Sequence, residues 1–99
     1  MESTISNEIF ITASSEQMSC DLAGEAVILN FKNGMYYGLD TIGALVWELI
    51  QKSKSLKEIR EHILESYDVN KEQFENDLRK LLKDLKENGL IEIKNGSLE

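Results

Sequence analysis

His62 and Cys20 are the one imidazole and the one thiol in the sequence, and chemistry at either would need partners that the sequence does not set beside it. A nucleophilic cysteine requires a nearby base or positive charge, and a tetrahedral metal site requires several such ligands together. A single cysteine forms no intramolecular disulfide, so Cys20 reads as a small core residue. His62 falls off the apolar side of its helical pattern and reads as solvent-exposed. The remaining titratable groups are mainly the eighteen Asp and Glu, scattered over what pattern as solvated helix faces. No catalytic residue, metal or small-molecule cofactor is expected, and the chain reads as a binding module.

The same acids set the electrostatics. Against eleven Lys and Arg they leave a formal charge of −7, which repels a phosphate backbone, because nonspecific nucleic-acid affinity comes largely from bases displacing counterions. Nucleic acid and anionic membrane are therefore poor partners. The longest apolar runs, Ala26 to Leu29 and Ala44 to Trp47, are far too short for a membrane span. Met1-Glu2-Ser3-Thr4 lacks the basic, then apolar, pattern of an export signal, so a cytoplasmic location is expected. Ninety-nine residues without proline, repeat or linker fit one domain, 1–99, with its core over about 18–94.

The elements follow from hydrophobic period. Ile9 to Thr12 has the composition of a short strand, with no evident partner, after a polar segment 1–8. Met18 to Leu22 alternates with period two, and Ala23-Gly24-Glu25 closes it as a turn. Ala26 to Phe31 and Met35 to Leu39 flank Asn33-Gly34, a pair suited to a type I′ turn. With a two-residue loop there, Phe31 faces Tyr36, and Met35, Tyr37 and Leu39 share one side of their strand while Tyr36 and Gly38 share the other.

From Thr41 the period becomes helical through Ile42, Leu45, Val46, Leu49 and Ile50, capped by Asp40 or Thr41. Trp47 falls beside this stripe, and the sequence leaves open whether it covers the sheet or meets a partner enzyme. A second helix starts after Ser55, with Glu58 completing a capping box, and places Leu56, Ile59, Ile63 and Tyr67 on one side. The third runs from Asn70 through Phe74, Leu78, Leu81, Leu82 and Leu85 to Asn88-Gly89. Leu90 to Lys94 alternates as a last strand, closed by Asn95-Gly96. The fold class is α+β: an N-terminal antiparallel three-stranded sheet or hairpin, a three-helix bundle resembling a winged helix-turn-helix, and a short C-terminal strand.

The run from Ala26 through Met35-Tyr36-Tyr37-Gly38-Leu39-Asp40 into Thr41-Ile-Gly-Ala-Leu-Val-Trp47 resembles the PqqD family, as do Leu56-x-x-Ile59 and Asn88-Gly-Leu-Ile91. The resemblance covers about residues 18–94 and is most specific in the hairpin and first helix. It implies a non-catalytic recognition element that holds the leader region of a ribosomally made precursor peptide and presents it to a processing enzyme. That enzyme would be a leader peptidase or cyclase of lasso peptide synthesis, the favoured pathway, or a radical enzyme as in pyrroloquinoline quinone synthesis.

In similar proteins the leader adds as a strand beside the third strand of the sheet, in the cleft facing the third helix. Carried onto this sequence, the receiving edge is Met35, Tyr36, Tyr37, Gly38 and Leu39, and the glycine admits a close backbone. The walls would be Val27, Leu29 and Tyr37 on the sheet and Phe74, Leu78 and Leu82 on the helix, with Asp77 and Arg79 at the rim. Phe74, Leu78, Leu81 and Leu85 read most simply as helix core, which leaves Leu82, at the edge of that stripe, as the groove residue. An open strand edge allows either a monomer or a strand-edge dimer. The alternative from another class is a winged-helix DNA-binding regulator. Its recognition helix should be basic, yet residues 70–88 hold five acids and five bases.

Overall fold

The computed structural model describes residues 10–52 and 54–94. In chain order the elements are β1 (Phe10–Ala13), β2 (Gln17–Leu22), β3 (Glu25–Asn30), β4 (Tyr36–Leu39), α1 (Thr41–Gln51), α2 (Leu56–Ser66), α3 (Lys71–Glu87) and β5 (Ile91–Lys94). The expected α+β arrangement is present: β2, β3 and β4 form an antiparallel sheet in that order, and three helices follow. Residues 1–8 and the Asn95-Gly96 turn lie outside the described residues.

β1 gains the partner that its sequence did not reveal. It pairs antiparallel with β5, Phe10 opposite Lys94 and Ala13 opposite Ile91, in a separate two-stranded ribbon. Such a pairing spans almost the whole chain, so no local turn chemistry announces it.

The tight type I′-like turn lies between β2 and β3. Ala23 and Gly24 both have positive φ, 57° and 88°, and Leu22 stands opposite Glu25. The β3–β4 connection differs from expectation. Tyr36 faces Leu29 rather than Phe31, and the chain crosses in a four-residue loop, 31–34. Asn30 is the cause. Its buried side chain accepts from Lys32 N–H at 2.8 Å and donates to the Asn88 carbonyl at 2.7 Å, which ends β3 one residue before Phe31. Asn33 folds the loop back by accepting from Met35 N–H at 2.9 Å, and Gly34 supplies the positive φ of 72°. The slip is by two residues, so each side chain keeps its side of the sheet.

The sheet's inner side carries Ala26, Ile28 and Leu39, all buried. It packs on α1, whose buried residues are Gly43, Val46, Trp47, Leu49 and Ile50. Trp47, 2% exposed, is thus core rather than a docking residue, and Ile42 and Leu45 are only partly buried. On α2 the capping box at Ser55 and Glu58 is formed, and Leu56, Ile59 and Ile63 are buried. Tyr67 is not on that side: the helix ends at Ser66 and Tyr67 turns extended and exposed. An Arg60–Glu75 ion pair at 2.7 Å ties α2 to α3. α3 starts at its Asn70 cap and ends at Asn88-Gly89, with Gly89 at φ 72°. Phe74, Leu78, Leu82 and Leu85 form its buried stripe.

Cys20 corrects the expectation of a core thiol. It is exposed because β2 alternates and Cys20 pairs with Val27 on the outer side of the sheet. His62 is exposed on α2, and among the described residues no three His, Cys, Asp or Glu come together as metal ligands. No helix among the described residues is long and apolar enough to cross a membrane.

Candidate functional site: an open strand beside an apolar cleft

Among the described residues, β4 hydrogen-bonds to β3 on one side only. Which backbone groups it leaves outward follows from the phase of the ladder. Asn30 N–H donates to the Met35 carbonyl at 2.9 Å, so Asn30 and Met35 are a bonded pair, and bonded pairs recur at every second residue. Ile28 with Tyr37 and Ala26 with Leu39 are then bonded pairs, while Leu29 with Tyr36 and Val27 with Gly38 are not. The N–H and C=O of Tyr36 and Gly38 therefore point away from β3. A Cβ added at Gly38 would meet nothing within 4 Å, so the strand's surface is open there.

The inner side of this strand borders a cleft of about 450 Å³ between β4, the start of α1, and α3. Its floor is apolar: Leu39 from the strand, Ile42 and Val46 from α1, Val69, and Phe74, Leu78 and Leu81 from α3. Its exposed rim is polar, with Asp40 from the start of α1 and Asn70, Gln73 and Asp77 from α3 and its cap. Asp40 caps α1 by accepting from Gly43 N–H at 2.8 Å. Gly43 packs closely under it, since a Cβ there would lie 3.2 Å from the Asp40 carboxylate. Gln73 donates to Asp77 at 3.0 Å. The Tyr37 hydroxyl lies 3.5 Å from the Asp84 carboxylate. Partial burial and, secondarily, that neighbouring negative charge hold the phenol above its ordinary value of 10.0. Tyr37 is thus a neutral donor at ordinary pH.

Six of the residues singled out in the sequence meet in this cleft: Tyr37, Gly38, Leu39, Phe74, Asp77 and Leu78. The others do not. Val27 and Leu29 sit on the outer side of the sheet with Tyr36, because they alternate with buried Ala26 and Ile28. Met35 precedes β4 and is exposed, and Arg79 is half-buried and outside the lining. Leu82, expected in the groove, is fully buried. Of these two adjacent leucines the one at the cleft is Leu81, because the helix turns Phe74, Leu78, Leu82 and Leu85 inward and leaves Leu81 half-buried in the lining. Asn70, Gln73, Phe74, Asp77, Leu78 and Leu81 follow the spacing of one helix side. Their mixed polarity hides that side from a search for an apolar stripe.

The family model for coenzyme PQQ synthesis protein D (PqqD) matches residues 25–91. The chain belongs to the PqqD family. Two solved structures share the fold of this PqqD-family protein. One is TbiB1 in complex with the TbiA(beta) leader peptide, 30% identical, with a TM-score of 0.76 over 87% of this chain and 98% of that one. The other is a lasso peptide synthetase B1 complexed with the leader peptide, 23% identical, with a TM-score of 0.73 over 83% and 96% of the two chains. No curated protein matches the sequence.

Proposed function

We propose that this PqqD-family protein captures the leader region of a ribosomally made precursor peptide by adding it as a strand to β4, and presents it to a processing enzyme of a lasso peptide pathway. The observation that carries the proposal is the outward N–H and C=O of Tyr36 and Gly38 beside an apolar cleft. An unpaired edge attracts any extended chain. Here it adjoins pockets that can hold alternate side chains of a guest, which is the arrangement peptide-binding domains use. The likeness to two leader-peptide complexes supports it.

Main-chain bonds at about 1 kcal/mol each are blind to sequence, so the cleft must supply the choice of guest, at about 1.5–3 kcal/mol for each apolar anchor. Ordering a flexible leader costs about 2–5 kcal/mol, and affinity in the nanomolar to low micromolar range is expected. The protein acts by holding and orienting, not by catalysis. The DNA-binding alternative is not favoured: the chain is acidic overall, and the open side of α3 exposes Asp77 toward any ligand. The test is titration of the purified protein with the N-terminal segment of the short precursor encoded beside it. Saturable binding that orders the peptide as a strand is expected, and absence of binding to any such leader would refute the proposal.

A further inference from the structure

We propose that the cleft selects a guest strand bearing a lysine or arginine two residues from an apolar side chain, with the base placed at Asp77 and the apolar group at Leu81. This rests on the strand-addition reading above and deepens it by naming the class of peptide. Asp77 and Leu81 both line the cleft. Four residues apart on α3, they are separated by about 6 Å along the helix axis. Alternate side chains of an extended strand are about 6.6 Å apart. A guest paired to β4 and running along α3 therefore presents successive inward side chains at the two positions.

Their chemistry differs. Leu81 is half-buried and continuous with the apolar floor of Phe74 and Leu78, whereas Asp77 is exposed at the mouth. Asp40 also lines the cleft, and among the described residues the lining contains no Lys or Arg. The bases around these positions on the helix, half-buried Arg79 and exposed Lys80 and Lys83, all lie outside the lining. With a net charge of −7, the whole molecule also draws a basic peptide toward the cleft and repels an acidic one.

The experiment pans a randomised twelve-residue peptide library, displayed on phage, against the full chain and against Asp77→Asn. The expected result is enrichment of an apolar–x–basic or basic–x–apolar pattern on the natural protein and loss of the basic preference on Asp77→Asn. The enriched peptides are then synthesised, and binding is read by fluorescence anisotropy. An exposed ion pair is worth a factor of about 2–5, so replacing the base with glutamate should weaken binding by about 4- to 25-fold at 50 mM salt, and by much less at 500 mM. Enrichment of apolar peptides with no basic preference, or with the same preference on Asp77→Asn, overturns this inference and leaves strand capture standing. Absence of any enriched peptide overturns strand capture itself, and this inference with it.

Discussion

Replacing Gly38 with proline separates the binding edge from the fold. Gly38 pairs with Val27 across a non-bonded position, so its N–H points outward and proline removes no bond to β3. The added ring meets open space, since nothing lies within 4 Å of a Cβ at this position. Proline is tolerated on edge strands for these reasons, and it favours the extended conformation that Tyr37 already has in β4. Unfolding stability in urea should therefore change by no more than about 1 kcal/mol, equivalent to about 4–8 °C in midpoint for a domain of this size. Binding should suffer more. The guest loses one main-chain donor and is left with a buried carbonyl unpaired, a loss of about 1–3 kcal/mol, or about 5- to 150-fold in Kd. The assay is leader-peptide titration beside a urea melt, with Gly38→Ala as the control that keeps the N–H and should bind nearly as well as the natural protein. Unchanged affinity in the proline variant would show that the guest does not use this edge. A loss of stability matching the loss of binding would place Gly38 inside the sheet and refute the ladder phase deduced from Asn30 and Met35.

Adjacent leucines on α3 should behave oppositely. Leu82→Ala, at a fully buried position, should cost about 2–5 kcal/mol in chemical denaturation, whereas Leu81→Ala should lose less stability and weaken peptide binding. Asn30→Ala should cost about 1–3 kcal/mol in the same melt, because it strands the Asn88 carbonyl and frees the 31–34 loop. Tyr37 has a folded pKa above 10.0, so its contribution to stability is complete below pH 10 and is lost as pH rises through the folded value. Tyr37→Phe should remove that alkaline slope from a stability-versus-pH curve. Glu58 lies below its ordinary 4.5, chiefly through the hydrogen bond from the Ser55 backbone. Its contribution is present above the unfolded pKa and fades as pH falls through the lower folded one, and Glu58→Gln should flatten that acid limb.

Local chemistry was the legible part of the fold. The caps at Asp40, Ser55 and Asn70 and the stop at Asn88-Gly89 stand where their side chains and the glycine require. Contacts between distant segments were not legible. The β1–β5 pairing joins residues near opposite ends of the described chain, and the Asn30–Asn88 bond that resets the β3–β4 loop spans 58 positions. Asn33-Gly34 reads as a two-residue turn only when Asn30 is ignored. In the site, β4 and its cleft-facing Tyr37 and Leu39 follow from alternation, which a two-residue slip leaves intact. The choice between Leu81 and Leu82 depends on how α3 is rotated against β4 and the core, a tertiary quantity that one hundred degrees of helix separates and periodicity does not resolve. Cys20 leaves its expected core place, and Trp47, which the sequence left open, takes one, for the same reason: each is set by which side of its element meets the core.

The ribbon of β1 and β5 also decides how this molecule can be joined to others. Phe10 stands opposite Lys94, and residues so paired lie only about 5 Å apart. A fusion partner joined directly at 10 or at 94 would hang from practically the same spot, so exchanging one attachment for the other should leave its reach unchanged. A short splice from 94 back to 10 would likewise close the backbone into a ring, and new termini could be cut in the exposed 31–34 loop.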